Sequence, residues 1–240
     1  MTRRAGIREP LVIAVAQPPC VPLDVAANAV THAATVRSAR ARVVVFPELS
    51  LTGYELDAPA VQVDDQRLRP IVEACAEAGS LALVGAPVQD DAARTYIAML
   101  AIDGTGVTVA YRKMWLGGAE PGRFSPGGTP AILEVDGWRL GLAICKDTGA
   151  PQHASDTAAL GMDAYVAGVL ESADDAAVPG ERARRVAADH HVWVAIASFA
   201  GSTGGGYDRA AGGSGIWTSE GVAIAQAGPR TGGIARATLT

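Results

Sequence analysis

A layered α/β fold is predicted, and three observations carry the prediction. Short apolar, β-branched runs alternate with stretches whose apolar residues recur at helical spacing. Two pairs of runs are joined by Asp-Gly turns of the hairpin kind. No linker, charge run or internal repeat divides the 240 residues. Mixed strands with helices both between and around them give a layered α/β fold. A single domain over residues 1–240 is expected, long enough to bury a sizeable core.

The first apolar run, LVIAVA at 11–16, reads as a buried strand. Asp24 is placed to cap a helix with Val25, Ala29, Ala33 and Val36 on one face. RVVVFPE at 42–48 is β-branched and punctuated by proline, so a central strand ending in a loop is predicted. Asp64 and Asp65 open a second helix whose apolar face holds Leu68, Ile71, Val72 and Cys75 and which stops at Gly79. Cys75 is thereby assigned to the core.

Strands follow at 81–88, 95–102 and 107–113, the last two joined by Asp103-Gly104-Thr105-Gly106. A second hairpin joins AILEV (131–135) to WRLGLAIC (138–145) through Asp136-Gly137. A helix over 151–160, a strand over 163–170 and a helix near 178–190 come next. Strands at 191–199, 213–218 and 222–227 are expected to close the chain. The glycine-rich GSTGGGYDRAAGG (201–213) reads as a flexible surface loop, of a kind that can also border an active site.

Composition narrows the function classes. The chain is 49% hydrophobic and 19% charged, as a globular protein is, and its net charge of −5 comes with no cluster of basic and aromatic residues. Nucleic acid and anionic membrane are therefore poor partners. Arginines precede the apolar run of the N-terminus, as in a leader peptide. However, Leu11 to Ala16 is too short for the apolar region of a leader, and Gln17-Pro18-Pro19 ends it. No segment is long and apolar enough to span a bilayer. Cys20, Cys75 and Cys145 are odd in number and widely spaced, with no C-x-x-C. No disulfide framework or zinc cluster is expected, and a reducing cytoplasm is the simpler home. No phosphate loop, dinucleotide fingerprint or serine-hydrolase elbow occurs. His190 and His191 are adjacent, so their side chains diverge and make a poor metal pair. No metal or cofactor is expected.

Three reactive residues share one local setting. Glu48, Lys113 and Cys145 each stand at the carboxyl end of a predicted strand, where open α/β sheets place their ligand crevices. Singly, each has a bland explanation: a solvated loop carboxylate, a surface lysine, an inert core thiol. Together they supply a base, a cation and a nucleophile.

FPELSLTGY (46–54), YRKMWL (111–116) and GLAICKD (141–147) resemble, in order and separation, the three catalytic blocks of the nitrilase superfamily of carbon–nitrogen hydrolases. The resemblance extends to IAVAQ, AIDGTG, EPGRFSPGG and GGSGIWTSEGVAIAQAG, nearly the whole chain. It implies a four-layer α-β-β-α sandwich with Cys145 as nucleophile, Glu48 as general base and Lys113 as oxyanion stabiliser. Glu120, in EPGRFSPGG, matches a second glutamate of the family. The resemblance further implies a homodimer, built partly on the helix after the cysteine, for which QHASDTAALGM offers a face.

Physical chemistry supports those roles. A thiol attacks as thiolate and needs a neighbouring base or cation. The oxyanion formed from a carbonyl needs donors, for which the Lys113 ammonium and the Lys146 N–H are candidates. The departing amine needs a proton, which Glu48 can return. Glu120 can position Lys113 and Glu48 and polarise the attacking water. Two departures from the family wording bear on substrate: Lys146-Asp147-Thr148 lacks the usual following arginine, and Trp115 stands where the lysine block usually has histidine. Lys146 adds charge beside the nucleophile, which favours an acidic substrate unless it is simply a solvated surface lysine. Tyr54, Trp115, Val169 and Leu170 are candidate pocket walls. The expected reaction is hydrolysis of a small amide, with a nitrile or N-carbamoyl compound as alternatives using the same groups. A non-catalytic sensor on the same scaffold is the alternative of another class.

Overall fold

The computed structural model describes residues 9–240; Arg3, Arg4 and Arg8, weighed above against a leader, lie outside the described residues. In chain order the first elements are β1 (Leu11–Gln17), α1 (Val25–Ala39), β2 (Val43–Val45), α2 (Arg69–Ala78), β3 (Leu81–Gln89), β4 (Thr95–Asp103) and β5 (Gly106–Arg112). Then come β6 (Ala131–Val135), β7 (Trp138–Ile144), α3 (Pro151–Ala159), β8 (Ala164–Val169), α4 (Val178–His190) and β9 (Trp193–Ser198). The chain finishes with β10 (Ala200–Gly201), β11 (Ala210–Ala211), β12 (Gly215–Trp217), β13 (Ala223–Gln226) and β14 (Gly233–Leu239).

Among the described residues there are two six-stranded sheets, ordered β14-β1-β2-β3-β4-β5 and β13-β12-β9-β8-β7-β6, and a small β10-β11 ribbon. Each large sheet has three parallel strands at its heart, β1-β2-β3 and β7-β8-β9, extended by antiparallel neighbours. Strand periodicity sorts the side chains. Along β1, Leu11, Ile13 and Val15 face the core between the sheets, while Ala14 and Ala16 face α1 and α2. Along β7, Leu140, Leu142 and Ile144 enter the same inter-sheet core, and Ala143 faces the α3–α4 side. The result is the four-layer α-β-β-α sandwich that the resemblance implies.

Local chemistry sets the element ends. Asp24 accepts from the Ala27 N–H at 2.9 Å and caps α1 as expected, with Val25, Ala29, Ala33 and Val36 buried. The β6–β7 turn has Asp136 and Gly137 both at positive φ, +50° and +83°, which matches the twist of the strands it joins. Three expectations need correction. Asp65 caps a 3₁₀ turn at Gln66–Leu68, so α2 begins one turn later than predicted, at Arg69. β2 stops at Val45, because Phe46 onward leaves the sheet to carry Glu48. VAIAQA is not the last strand. GIARATL forms β14 against β1, with Ala235 and Leu239 buried and Arg236 at a polar, outward position.

Candidate active site

The carboxylate is placed by a loop held on three sides. After β2 the chain turns through Phe46-Pro47 to Glu48, passing between a glycine on each sheet. A Cβ on Gly168 of β8 would stand 2.5 Å from the Phe46 carbonyl oxygen, and one on Gly85 of β3 would strike the backbone of Pro47 and Leu49. From α1, His32 stacks on Phe46 at 4.3 Å between ring centroids, and its Nε2 lies 2.9 Å from Ser50 Oγ. His32 Nδ1 sits 2.6 Å from the Asn28 carbonyl and so must donate to it, leaving Nε2 to accept from the serine. Full burial pushes the His32 pKa down to about 4, against a weaker opposing pull from the Asn28 carbonyl.

Lys113 follows β5. Its ammonium donates to Glu48 Oε1 at 2.6 Å and to both oxygens of Glu120 at 2.7 and 2.8 Å. All three side chains are buried. Glu120 opens a short 3₁₀ turn and also accepts from Tyr54 Oη at 3.1 Å and the Gly117 N–H at 2.7 Å.

Cys145 follows β7 at φ +43°, in the left-handed region that a non-glycine residue adopts only when its surroundings compel it. It begins a five-residue 3₁₀ turn, Cys145–Gly149, and not the α-helix itself, which starts at Pro151. Its thiol donates to the Leu170 carbonyl at 3.3 Å. The turn is fixed by Asp147, fully buried, which accepts four hydrogen bonds: Ile144 N–H at 2.9 Å, Tyr111 Oη at 2.8 Å, Trp115 N–H at 2.8 Å and Met114 N–H at 3.2 Å. Behind it, His153 of α3 bridges Tyr111 Oη (2.9 Å, Nε2) and Tyr165 Oη (2.7 Å, Nδ1). The Tyr111 proton goes to Asp147, so His153 Nε2–H donates to Tyr111 and its Nδ1 accepts from Tyr165. Burial lowers the His153 pKa, which keeps the ring in that neutral form.

The electrostatics follow from burial. Desolvation, helped by the Glu120 charge and opposed by Lys113, pushes the Glu48 carboxyl up to about 7. Burial, and then the Glu48 charge, hold the Cys145 thiol well above its ordinary range. Burial works against the Lys113 charge, but Glu48, Cys145 and Glu120 together outweigh it and raise its pKa. Glu48 Oε2 is buried without a hydrogen-bond partner. An unpaired carboxylate oxygen beside a protonated thiol is an acceptor ready for that proton.

A cavity of about 330 Å³ opens above these groups, with Cys145, Lys113 and Glu120 at its floor. Tyr54, Lys146 and Leu170 line it. Trp115 and Val169 do not. Val169 is adjacent to Leu170 at the end of an extended strand, so it faces the opposite way and joins the core beneath α4. Trp115 lays its ring edge-on to His153 at 5.5 Å, while its N–H is taken by Asp147. The cavity also has walls that were not foreseen: Tyr207, Glu171 and Arg182. Tyr207 comes from the glycine-rich loop, which is anchored where Thr203 Oγ1 donates to the Gly53 carbonyl at 2.7 Å. A second cavity, about 340 Å³, lies by the Arg42–Asp136 ion pair, and among the described residues no cysteine, serine or lysine lines it.

The sequence profile described as carbon-nitrogen hydrolase matches residues 12–240. A Pseudomonas protegens protein described as a hydrolase in the pqqF 5′ region is 31% identical over 201 residues, 79% of this chain and 70% of its own length. An (R)-stereoselective amidase from a Pseudomonas species is 29% identical over 128 residues, 51% of this chain and 46% of its own. Among solved structures, a mutant of the amidase from Nesterenkonia sp. AN1 in complex with butyramide superposes with a TM-score of 0.85 at 25% identity, covering 98% of this chain and 94% of that one. Saccharomyces cerevisiae Nit3, a member of branch 10 of the nitrilase superfamily, has the same fold at 21% identity, with a TM-score of 0.85 over 98% of this chain and 92% of its own.

Proposed function

Since this chain belongs to the carbon–nitrogen hydrolase family, we propose that it hydrolyses a small amide to a carboxylate and ammonia through a thioester on Cys145. The observation that carries the reading is the Lys113 ammonium, buried between Glu48 at 2.6 Å and Glu120 at 2.7 Å on the floor of the cavity that Cys145 enters.

The steps follow from the positions of these groups. Glu48 Oε2 takes the thiol proton, and the thiolate attacks the amide carbon. The carbonyl oxygen becomes an oxyanion, which draws an N–H from Lys113 and the backbone N–H of Lys146. Lys113 can spare a donor because Glu120 holds it with two oxygens. Glu48 passes its proton to the nitrogen, the C–N bond breaks, and ammonia leaves the acyl group on sulfur. Glu48 then takes a proton from water, the hydroxide adds to the thioester, and the C–S bond breaks. The sulfur recovers the proton and the acid is released. Glu120 touches Lys113, Tyr54 and Gly117, so its part is to hold the ammonium in place.

The amide reading is favoured over nitrile or N-carbamoyl substrates by the Nesterenkonia amidase, solved with butyramide and with acrylamide added to its active-site cysteine. Ammonia release from a panel of small amides, nitriles and N-carbamoyl compounds tests it, with Cys145→Ala as control. Turnover of amides that vanishes in Cys145→Ala is expected. Ligand binding by both proteins with turnover by neither would favour a sensor. Among the described residues no helix is long and apolar enough to cross a membrane.

A further inference from the structure

We propose that the substrate's far end carries a carboxylate, and that the Lys146 ammonium receives it; this rests on the amide reading of the same site. The charges around the cavity point there. On the floor, the single cation Lys113 is held between two carboxyl groups, whose charges oppose a standing carboxylate there. On the wall, Arg182 and Glu171 are paired at 2.6 Å, so each cancels the other. Lys146 also lines the cavity, and no ion pair or hydrogen bond engages its ammonium among the described residues.

The placement of Lys146 is built into the loop opposite. A Cβ on Gly117 would lie 3.0 Å from Lys146 Cδ and 3.8 Å from its Nζ, so the lysine stem lies against the 117–119 loop while the residue as a whole stays exposed to solvent. Gly117 does not have the positive φ that would demand glycine, unlike Gly118 at +51°. The room taken by the lysine is what Gly117 provides. Nucleophile and lysine line the same cavity of about 330 Å³, so the carboxylate belongs to a substrate short enough to span it from the carbonyl that Cys145 attacks. The floor disfavours the anion and the wall attracts it, which orients the molecule with its amide end inward. A substrate ending in an ammonium group finds no matching partner, because Glu171 is already engaged by Arg182.

The test compares succinamate with butyramide, two probes of similar length that end in a carboxylate and a methyl group. The wild type is expected to favour succinamate by about two- to fivefold in kcat/KM, the size of one solvent-exposed charge contact. Lys146→Met should bring the ratio to about one, and Lys146→Glu below one. In the wild type, added salt should lower the ratio as well, which reads the same contact without any variant. A wild-type preference for butyramide, or a ratio indifferent to both Lys146→Met and salt, overturns the inference while leaving the amide reading intact. Absence of Cys145-dependent ammonia from either probe overturns the amide reading instead. In that event calorimetric binding of the two probes to Cys145→Ala still decides the charge preference, and equal affinities overturn it.

Discussion

Asp147 accepts the backbone N–H of Trp115 at 2.8 Å, and the turn that carries Cys145 is thereby fastened to the strand end that carries Lys113. Its other oxygen takes the Ile144 N–H and the Tyr111 hydroxyl, so one carboxylate spans both segments. Asp147→Ala leaves four donors without an acceptor and should cost about 2–5 kcal/mol of stability. Asp147→Asn can satisfy one pair of donors but must turn its NH₂ toward the other, so an intermediate loss is expected. Thermal unfolding checks the stability. A fall of roughly 100-fold or more in kcat for Asp147→Ala, read by ammonia release, checks the positioning.

Gly168 should tolerate no side chain. Its Cβ would stand 2.5 Å from the Phe46 carbonyl, backbone against backbone, with no flexible side chain to yield. Gly168→Ala is expected to displace the Glu48 loop, costing about 1–3 kcal/mol and at least tenfold in kcat. Gly161→Ala, at a positive-φ site where a Cβ would meet only Arg139 Nε at an ordinary 3.8 Å, is the contrasting control: it should cost stability and spare kcat.

The acid limb of the rate should report Glu48. If the base works only when ionised, activity rises with pH to a midpoint near its value of about 7. The same group acts oppositely on stability. Its folded-state pKa lies above the ordinary 4.5, so the folded protein holds the proton longer, and its contribution is full below pH 4.5 and lost as pH rises toward 7. Glu48→Gln should abolish turnover and remove that falling slope from a plot of melting temperature against pH.

His32 contributes a slope of the other sign. Its pKa falls from 6.5 to about 4 on folding, so its stabilisation is present above pH 6.5 and is lost as pH drops toward 4, by up to about 3 kcal/mol. The wild-type profile between pH 4.5 and 6.5 should therefore be flatter than that of either variant. His32→Gln should steepen the fall of stability toward neutral pH and, by loosening Phe46 and Ser50, lower kcat more than it changes KM.

The strand ends were legible because apolar runs stop abruptly there: VVV before Phe46-Pro47-Glu48, VTVAYR before Lys113, LGLAI before Cys145. Punctuated hydrophobicity reports where the sheet ends, and the sheet's end is where this cavity lies. What stayed hidden depends on partners distant in sequence. His153 reads as one polar residue in an Ala-rich helix, and only the tertiary structure brings it between Tyr111 and Tyr165. Tyr207 sits in a glycine-rich loop with no periodicity to place it. β14 escaped notice because an edge strand with one buried face needs few apolar residues: Ala235 and Leu239 suffice, with arginine between them. Val169 and Leu170 could not be separated without knowing which face of β8 looks into the seam.

The Glu48 loop works as a feeler gauge set in the joint of the sandwich. One jaw is Gly85 and the other is Gly168, each lying too close to the loop backbone to admit a Cβ. A slide of one sheet over the other, too small to break a strand pairing, would still move the carboxylate off the thiol. On gentle warming, ammonia release should therefore fade some degrees before the far-ultraviolet signal of the strands, and return on cooling.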